Sequence, residues 1–288
     1  MAPDLLTLAF QPRRHSHLSV EASTIADLRQ RAAALLGRPQ RLLFFCLLVF
    51  TAGESQHTVD FQPVVCGPGD VLFITPQQVF QLSLPLACEG YAIIYQADML
   101  PPDDDVEQLL VDETGQANCL YRSDPANQLL LLSDCEALLQ TYLHDVSDVL
   151  SARILGYQLR IILTRLARLR LPAAATRSEP EGYPSLVRRF RALLEQQYRQ
   201  SRALSAYARQ LYCTPRTLQR AVERVTGQTG KRFIDARVML EAKRLLAHTS
   251  DPVGAIGTLL GFSEPTNFVK YFQRHEGVSP ERFRQRYR

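Results

Sequence analysis

A run of polar side chains near the C-terminus has the chemistry of a surface that contacts nucleic acid. Arginine, lysine, amide and hydroxyl groups hydrogen-bond base edges in the DNA major groove, and the cations also pair with phosphates. The first five candidates fall within nine residues and mostly recur at helical spacing, which predicts a basic outer helix face. They are Arg216, Thr217, Gln219, Arg220 and Arg224.

A second run with the same character follows about fifty residues later. The offset between matching positions is 49 up to Ser263, as from Leu211 to Leu260, and 50 beyond it, as from Leu218 to Phe268. One inserted residue after the second cap explains this change. The candidate contact residues of the second run are Pro265, Thr266, Asn267, Lys270 and Arg274.

Each copy predicts a short apolar helix, a tight turn and a second, amphipathic helix, which is a helix-turn-helix unit. Thr214 and Ser263 are the expected N-cap residues, because their hydroxyls can accept a first-turn amide. Pro215 fits the first helical position, and Gly227 and Gly277 fit left-handed C-termini. The inward faces are predicted from apolar residues at helical spacing. These are Leu218, Val222 and Val225 in the first copy, and Phe268 and Phe272 in the second.

A longer signature extends through the second copy. It reads Gly261-Phe262-Ser263, then Phe268-x3-Phe272-x4-Gly277-x-Ser279-Pro280-x2-Phe283-Arg284. Together with Ala208–Gly227 and Arg237-x4-Ala242-x2-Leu245-Leu246, it resembles the AraC/XylS family of bacterial transcription regulators over about residues 186–288. The resemblance implies two helix-turn-helix units joined by a long helix, here about 233–247. The chain departs from the family at Tyr212, Val222 and Gly257, where a turn glycine, an aromatic residue and an alanine are usual.

The resemblance also assigns roles to the candidate residues, position by position. Double-stranded DNA is the implied partner, with the two outer helices in successive major-groove segments. Pro265 replaces a polar contact, so the second helix is expected to read fewer bases. Guanine contacts are assigned to Arg216 and Arg220, adenine contacts to Gln219 and Asn267, a thymine methyl to Thr266, and phosphates to Arg224, Lys270 and Arg274.

Charge divides this 288-residue chain into an acidic and a basic part, although its formal net charge is only +4. Residues 1–175 carry 12 arginines, no lysine and 19 acidic residues, a net charge of −7. Residues 176–288 carry 21 basic and 10 acidic residues, a net charge of +11. This asymmetry is typical of a regulatory part joined to a nucleic-acid-binding part.

The cysteine, histidine and aspartate residues elsewhere in the sequence do not form the pattern of a disulfide framework or a metal site. The six cysteines form no C-x-x-C pair, which favours a reducing cytoplasm over a disulfide framework or a zinc ribbon. The start of the chain lacks the pattern of a signal peptide, and the longest apolar run, 42–50, is too short to span a bilayer. Neither His15-Ser-His17 nor Asp103-Asp104-Asp105 has the convergent partners that a metal needs. We therefore expect a cytoplasmic protein without catalytic residues, metal or cofactor, and without a membrane partner.

Residues 41–97 change to a period of two, with Gly- and Pro-containing turns between short apolar runs. This pattern predicts a β-sandwich or small barrel. The run 42–50 is apolar on both faces, so one face should line the interior while helices or a partner cover the other. The strand candidates are 42–51, 57–61, 71–74, 79–84 and 91–96.

The strand region has its own motif: His57-x-Val-Asp-Phe, then Gly67-Pro-Gly-Asp70-Val-Leu-Phe-Ile-x-Pro76, then Gly90-Tyr-x-Ile-Ile. It is similar to the cupin-type sensor domain common in the same regulator family. That similarity implies an apolar cavity for a small-molecule effector; a packed core without a cavity is the alternative. The arm at residues 1–20, read as irregular, could close over its mouth. The candidate effector-binding residues are Arg13, His15, Arg41, His57, Phe80 and Tyr95.

Helices are predicted at 23–36, 128–149, 151–170 and 185–199. The second and third of these should cover the outer barrel face or form a homodimer surface, and the two roles are compatible. The predicted fold class is α+β multidomain, with a cupin-like N-terminal β-barrel plus helices and an all-α C-terminal double helix-turn-helix. The predicted domains are a sensor and dimerisation domain at 1–172, a linker at 173–184 and a DNA-binding domain at 185–288.

The sequence thus predicts a sequence-specific DNA-binding transcription regulator, whether an activator or a repressor, modulated by a small-molecule effector or by dimerisation. RNA polymerase is a further possible partner. Two alternatives remain open: a regulator controlled by a partner protein with no small ligand, and a cupin enzyme fused to a DNA-binding module.

Overall fold

The computed structural model describes residues 5–100, 106, 110, 120–122, 125–144, 148–170 and 182–287. These residues fall into two compact units, one before position 171 and one after position 181. Residues 173–181 of the predicted linker lie outside the described residues, as do the acidic triplet 103–105 and Val146, which the sequence placed on a helix. None of the described helices combines the length and the apolar character that crossing a bilayer would require.

The N-terminal unit contains two five-stranded sheets, one in the order β1-β3-β8-β5-β6 and one in the order β10-β7-β4-β9-β2. The β1–β3 pair is parallel, and the other described pairs are antiparallel. The strand bounds are β1 Leu6–Leu8, β2 Val20–Thr24, β3 Pro39–Leu42, β4 Phe45–Ala52, β5 Ser55–Val59, β6 Gln62–Cys66, β7 Asp70–Ile74, β8 Val79–Gln81, β9 Glu89–Tyr95 and β10 Leu120–Arg122.

The predicted β-rich half is confirmed, but its described strands form two sheets without hydrogen bonds between them. The strand pattern predicted a sandwich or a small barrel, and the cupin-type similarity favoured the barrel. Alternating apolar residues do not separate the two, since both bury one face of each strand. The arm read as irregular, residues 1–20, contains β1, an edge strand of the first sheet, and ends at Val20, the first residue of β2, which is an edge strand of the second sheet. Both were missed because a short edge strand needs no apolar alternation, and β2 carries Glu21.

Strand β4 is buried on both of its faces, as its sequence predicts. Leu48 and Phe50 join the apolar core between the two sheets. Leu47 and Val49 point to the other side, into a second core shared with helices. The helix cover that the two-faced strand required is therefore present.

That cover consists of α2, Pro125–Leu143, and α3, Val149–Arg170. The inward stripe of α3 includes Leu155, Leu159 and Ile162, which are fully buried. The helical spacing of the sequence also groups Leu129 and Ile154 with the apolar stripes of these two helices, but they are 71% and 47% exposed. An apolar stripe is about 100° wide or more, so packing against the sheet decides which residues of the stripe are buried.

The shorter helix α1, Ile25–Arg31, lies between β2 and β3. The predicted helix ran from 23 to 36, but its first two residues complete β2, and Thr24 becomes the N-cap. The Thr24 hydroxyl accepts the amide of Asp27, whose carboxylate accepts the Thr24 amide in return. This capping box fixes the start of the helix.

The C-terminal unit is helical throughout its described length. Helices α5 and α6 form one helix-turn-helix unit, α8 and α9 form the other, and α7 joins them. The first helix starts at Gly182, inside the stretch assigned to the linker. The bounds are α4 Gly182–Gln197, α5 Leu204–Gln210, α6 Pro215–Thr226, α7 Gly230–His248, α8 Val253–Leu259, α9 Pro265–Glu276 and α10 Pro280–Tyr287.

Candidate nucleic-acid interface

The first outer helix, α6, starts and ends as its sequence predicts. Thr214 is the N-cap, and its hydroxyl oxygen accepts the backbone N–H of Thr217 at 3.1 Å. Pro215 occupies the first helical position, where its missing N–H leaves no donor unsatisfied. Gly227 ends the helix with φ +66°, a conformation that glycine adopts without a side-chain clash.

The second outer helix, α9, starts one residue later than predicted. Ser263 was expected to be its N-cap, but the N-cap is Glu264, with an extended backbone and no side-chain capping bond. Pro265 takes the first helical position, as Pro215 does in α6. Ser263 is therefore the extra residue of the turn, which explains why the repeat offset changes from 49 to 50. The hydroxyl misled the prediction because a capping residue type also suits a turn.

The inward faces of both helices are apolar and buried. Leu218 and Val222 of α6 are fully buried, as are Phe268 and Phe272 of α9; Val225 is half-buried. Burial of this stripe leaves the opposite face of each helix in solvent.

Glycine at position 257, which departs from the family pattern, has a local reason. A Cβ placed there would lie 2.9 Å from the Phe268 side chain, so α8 approaches α9 more closely than alanine allows. Gly261 holds φ +79° in the turn, and a Cβ there would overlap the Arg199 carbonyl oxygen at 1.8 Å. Both glycines serve the close packing of the second unit.

Eight of the ten sequence-predicted DNA residues are exposed on the outer faces. On α6 these are Arg216, Arg220 and Arg224, and on α9 they are Pro265, Thr266, Asn267, Lys270 and Arg274. Thr217 is half-buried, and its hydroxyl lies 2.8 Å from that of Thr214.

Gln219 is placed differently from the other candidates. Its amide oxygen accepts the backbone N–H of Gly230 at 3.1 Å, and its amide nitrogen donates to Glu223 at 2.6 Å. The side chain therefore ties α6 to the start of α7. With both ends engaged, this geometry does not favour an adenine contact.

The outer faces are electropositive. Within the described part of the chain, Arg216, Arg220, Arg224, Lys270 and Arg274 have no carboxylate within salt-bridge distance. A cation without a carboxylate partner remains available to an anion such as a phosphate. Two grooves follow these faces. One, of about 370 Å³, is lined by Tyr183, Arg220, Glu223 and Arg224. The other, of about 470 Å³, runs beside α9.

Helix α7 is fixed to the second unit and to α4 by polar contacts. Near its start, the Tyr271 hydroxyl of α9 donates to the Asp235 carboxylate at 2.8 Å, and Lys231 pairs with the same carboxylate at 2.6 Å. Burial raises the pKa of the Tyr271 hydroxyl, and the neighbouring Asp235 carboxylate raises it further. Burial also lowers the pKa of His275, whose ring lies 3.7 Å from Asp235. These contacts fix the rotation of α9 about its axis and hence the direction of its outer face.

A second buried cluster lies farther along α7. Glu241, which is 1% exposed, accepts from Arg237 at 3.4 Å and from Arg244 at 3.5 Å. Arg237 also donates to Glu195 of α4 at 2.8 Å. Because the two carboxylates flank it, the pKa of Arg237 rises even though burial alone would lower it. The cluster locks α7 to α4.

The sequence did not single out Arg202, which precedes α5 but contacts the second unit. Its guanidinium carbon lies 3.6 Å from the Phe262 ring centre, and Nη2 donates to the Gly261 carbonyl at 2.6 Å. Sequence analysis missed Arg202 because its partner Gly261 lies 59 positions away along the chain. An isolated arginine in a loop carries no periodic signal.

The six effector candidates of the N-terminal unit do not form one cluster. Phe80 lies in the core between the sheets, whereas Tyr95 lies in the core under the helices and stacks on Phe45 at 4.8 Å. The His15 ring contacts the Tyr142 ring at 5.1 Å, with Nε2 3.0 Å from the Tyr142 carbonyl oxygen.

Two arginines complete the candidate set. Arg13 is exposed, and its backbone amide donates to Glu21. Arg41 is half-buried on β3. These placements leave the proposed effector site without a common cavity wall among the six residues.

His57 is a buried strand histidine. Its Nδ1 accepts the backbone N–H of Ser83 at 3.3 Å, and its Nε2 lies 2.7 Å from the Ser55 hydroxyl. Burial lowers the pKa of His57 to about 4, so the ring is neutral near pH 7. In this state the ring carries no charge to pair with an effector carboxylate, and both ring nitrogens are engaged within the unit.

The five described cysteines are free thiols that are buried or half-buried. Cys46, Cys66, Cys88 and Cys135 are buried free thiols, and Cys213 is half-buried; Cys119 lies outside the described residues. Burial raises the pKa of Cys46 to about 12, which suppresses the reactive thiolate. Within the described ranges, no three His, Cys, Asp or Glu side chains are grouped to hold a metal ion.

Comparison with known proteins supports the assignment of the C-terminal unit. A family model described as a helix-turn-helix domain matches residues 207–286. The uncharacterized HTH-type transcriptional regulator YisR of Bacillus subtilis is 32% identical over 91 residues, which is 32% of each chain. The chain thus spans only about a third of that relative. The HTH-type transcriptional activator RhaS of Klebsiella pneumoniae is 26% identical over 252 residues, covering 84% of this chain and 85% of RhaS.

Among solved structures, the DNA-binding domain of AdpA in complex with a target DNA is 27% identical, with a TM-score of 0.32. It covers 38% of this chain and 95% of that domain. The range matched by the family model begins within α5 and includes α6, the joining helix α7, α8 and α9. Residues 207–286 are a helix-turn-helix domain, and the relatives that match the chain are HTH-type transcriptional regulators.

Proposed function

We propose that the whole chain is a transcription regulator that reads double-stranded DNA with α6 and α9. The observation that carries this proposal is the repetition of one arrangement: each unit buries its apolar stripe and exposes a cationic face. Two outer helices joined by one rigid helix suit successive major-groove segments, roughly 34 Å apart on one side of B-DNA.

We propose that some of the exposed residues contact base edges and that others contact phosphates. Arg216 and Arg220, near the start and middle of α6, are proposed to contact guanine edges, where a guanidinium can donate two hydrogen bonds. Asn267 is proposed for adenine and Thr266 for a thymine methyl. Arg224, Lys270 and Arg274 are proposed to hold phosphates. Gln219 and Thr217 are proposed to support the helix, because their polar groups are engaged within the unit.

Selection from a random duplex library, followed by fluorescence anisotropy with the full chain, tests this proposal. We expect a specific sequence to emerge, with affinity falling linearly on a log–log plot against salt, at a slope of several units. Arg220→Ala should cost about 1–3 kcal/mol on the selected duplex and relax preference at one base pair. Arg274→Ala should weaken the selected and a scrambled duplex alike. The absence of a selected sequence, or equal losses on both duplexes for Arg220→Ala, would contradict the proposal.

We propose that the N-terminal unit regulates DNA binding through homodimerisation. The support is an exposed apolar stripe on α3 formed by Leu150, Ile154, Tyr157 and Ile161, which are 47–65% exposed. Residues at these spacings share one helix face, and a contiguous exposed apolar stripe of this kind marks an interaction surface. A partner subunit would bury it. Contact with RNA polymerase would follow once the dimer is bound at a promoter.

Control by a small-molecule effector is the second proposal for this unit. The sequence similarity to a sensor domain supports it, whereas the placement of the six candidate residues does not. A thermal-shift screen of the full chain against sugars, aromatic acids and divalent metals separates the two modes, because a bound ligand raises the melting temperature by mass action. A ligand that raises it and alters DNA affinity would add effector control. The absence of any shift, together with dimer-dependent DNA binding, would leave dimerisation alone.

A further inference from the structure

The groove beside α9 has an unusual combination of walls. It measures about 470 Å³ and has an aromatic floor, Phe262 and Tyr271, under three cationic side chains. Lys270 and Arg274 project from α9 itself, and Arg202 comes from the loop before the first helix-turn-helix unit. Ser263 and Asn267 complete the lining. An aromatic floor under several cations suits an anion, because the ring faces hold the guanidinium groups in place.

Arg202 is held in this groove by two independent contacts. Its guanidinium stacks on Phe262 at 3.6 Å, and one amino group donates to the Gly261 carbonyl at 2.6 Å. A guanidinium has five N–H donors in a fixed plane, so one bond to Gly261 leaves donors available for a second acceptor. Arg274 approaches Tyr271, with 5.6 Å between its guanidinium carbon and the ring centre. The two guanidinium groups are therefore oriented before any ligand arrives.

The charges around the groove do not balance. None of Arg202, Lys270 and Arg274 has a carboxylate within salt-bridge distance among the residues that the structure describes. The nearest buried carboxylate, Asp235, is engaged by Tyr271, Lys231 and His275. Glu264 is exposed and does not line the groove. Three like charges around one groove are stabilised when an anion enters it.

We propose that this groove binds a phosphate of the DNA backbone and that Arg202 is one of its ligands, so a residue preceding the first unit anchors the second unit on DNA. The proposal rests on the proposed function, because Asn267 and Lys270 of the same groove lie on the outer face of α9. A phosphodiester oxygen would accept from Arg202, Lys270 and Arg274 together. The contact to Gly261 would at the same time hold the turn that precedes α9.

Single methylphosphonate linkages, which are neutral, test this contact on the selected duplex. Each duplex carries one such linkage, and its affinity for the full chain is measured by anisotropy. For the wild-type chain we expect one linkage beside the α9 half-site to lower affinity about three- to tenfold, as the loss of one charged contact does. For Arg202→Gln the same linkage should lower affinity less than about twofold, and the salt slope should be shallower by about 0.9.

Two further variants separate the phosphate contact from charge and folding. Arg286→Gln removes one exposed cation from the last helix and should leave the sensitivity to that linkage unchanged. Arg202→Lys keeps a cation and should retain that sensitivity in part, because lysine cannot also stack and donate to Gly261. Circular dichroism melting of each variant checks the fold. If Arg202→Gln does not fold, the Arg202→Lys result decides the question, since a folded Arg202→Lys chain with the full wild-type sensitivity to that linkage would overturn the phosphate role.

The remaining outcomes also discriminate. Equal sensitivity of wild type and Arg202→Gln to every linkage would overturn the inference while leaving the proposed function intact. Failure of the wild-type chain to bind any duplex would instead contradict the proposed function. Inorganic phosphate, added at constant ionic strength, should compete no better than chloride. Saturable competition that Arg202→Gln abolishes would assign the groove to a free anion and overturn the DNA contact.

Discussion

Tyr212 has a left-handed backbone conformation, and the residue at the matching position of the second unit is a glycine. Its φ is +54°, and the side chain is 93% exposed. At the matching position, Gly261 has φ +79°. A residue with a Cβ costs about 1–2 kcal/mol in the left-handed region. Because the tyrosine ring contacts little of the unit, packing does not offset that cost.

Replacing Tyr212 by glycine should therefore stabilise the C-terminal unit by about 0.5–1 kcal/mol, after allowing for the greater freedom of glycine in the unfolded chain. Urea unfolding followed by circular dichroism at 222 nm measures the change. The matched substitution Gly261→Ala should destabilise the same unit by about 3 kcal/mol, since its Cβ would overlap the Arg199 carbonyl oxygen. A destabilised Tyr212→Gly variant would show that the ring makes a stabilising contact.

The neutral state of His57 makes the stability of the N-terminal unit depend on pH. Its pKa falls from 6.5 in the unfolded chain to about 4 in the fold, because burial disfavours the charged ring. Between these values the unfolded state binds the proton and the native state does not. Stability is therefore fully present above about pH 6.5 and is lost as pH falls toward 4. At 1.36 kcal/mol per pKa unit, the loss approaches about 3 kcal/mol.

His57→Gln should remove this contribution, because glutamine can donate to the Ser55 hydroxyl without titrating. Urea unfolding at several pH values from 4 to 7.5 should give a shallower pH slope for the variant than for the wild type. His144→Gln, at an exposed histidine of the same unit, serves as the control and should keep the wild-type slope. Parallel slopes for His57→Gln and wild type would indicate that His57 does not control acid unfolding.

Helix α7 decides how the two helix-turn-helix units are held together, and its central polar contact is buried. Glu241 lies between Arg237 and Arg244, whose side chains are 10% and 4% exposed. Removing one partner from a buried ion pair leaves an uncompensated charge, which usually costs 3–5 kcal/mol. Glu241 is accordingly the position at which a small change should loosen α7.

Glu241→Gln keeps the shape of the side chain but removes its charge, so we expect the C-terminal unit to lose about 3 kcal/mol of stability. Lys243→Gln is the matched control on the same helix. Its pair with Glu276 lies nearer the surface, at 2.5 Å with 29% and 21% exposure, and should cost less than about 1 kcal/mol. Comparable losses for both variants in urea unfolding would contradict the special role of Glu241.

Elements set by local signals could be predicted, and elements set by distant contacts could not. The capped start of α6 and the glycine ends of α6 and α9 follow from adjacent residues, as Thr214 and Gly277 show. The start of α9 was misassigned because the hydroxyl of Ser263 suits an N-cap as well as a turn, whereas the N-cap is Glu264. Strand β2 depends on pairing with β9 across some 70 residues, and Arg202 depends on Gly261. Sequence periodicity carries neither relation.

At the scale of the whole molecule, charge and apolar exposure are separated. The basic charge lies in the C-terminal unit, where the outer faces of α6 and α9 carry it. The N-terminal unit is acidic and instead exposes the apolar stripe of α3. An acidic surface does not attract DNA, so the N-terminal unit is suited to protein contact. The stripe supplies the apolar contact that a second copy of the chain could bury.

Ile154→Arg places a charge in the middle of that stripe, where a dimer would bury it. We expect sedimentation or multi-angle light scattering to show a dimer for the wild type and a monomer for the variant, because an unpaired buried charge costs several kcal/mol. Ile154 is already 47% exposed, so the fold of the unit should survive, and its melting temperature should change little. Gln30→Arg, at an exposed position of α1, adds the same charge elsewhere and should leave the dimer intact.

DNA binding should become weaker for Ile154→Arg, because two linked DNA-binding units benefit from a high effective concentration at adjacent sites. A wild-type monomer, or an Ile154→Arg variant that still dimerises, would show that the α3 stripe does not bind a second copy.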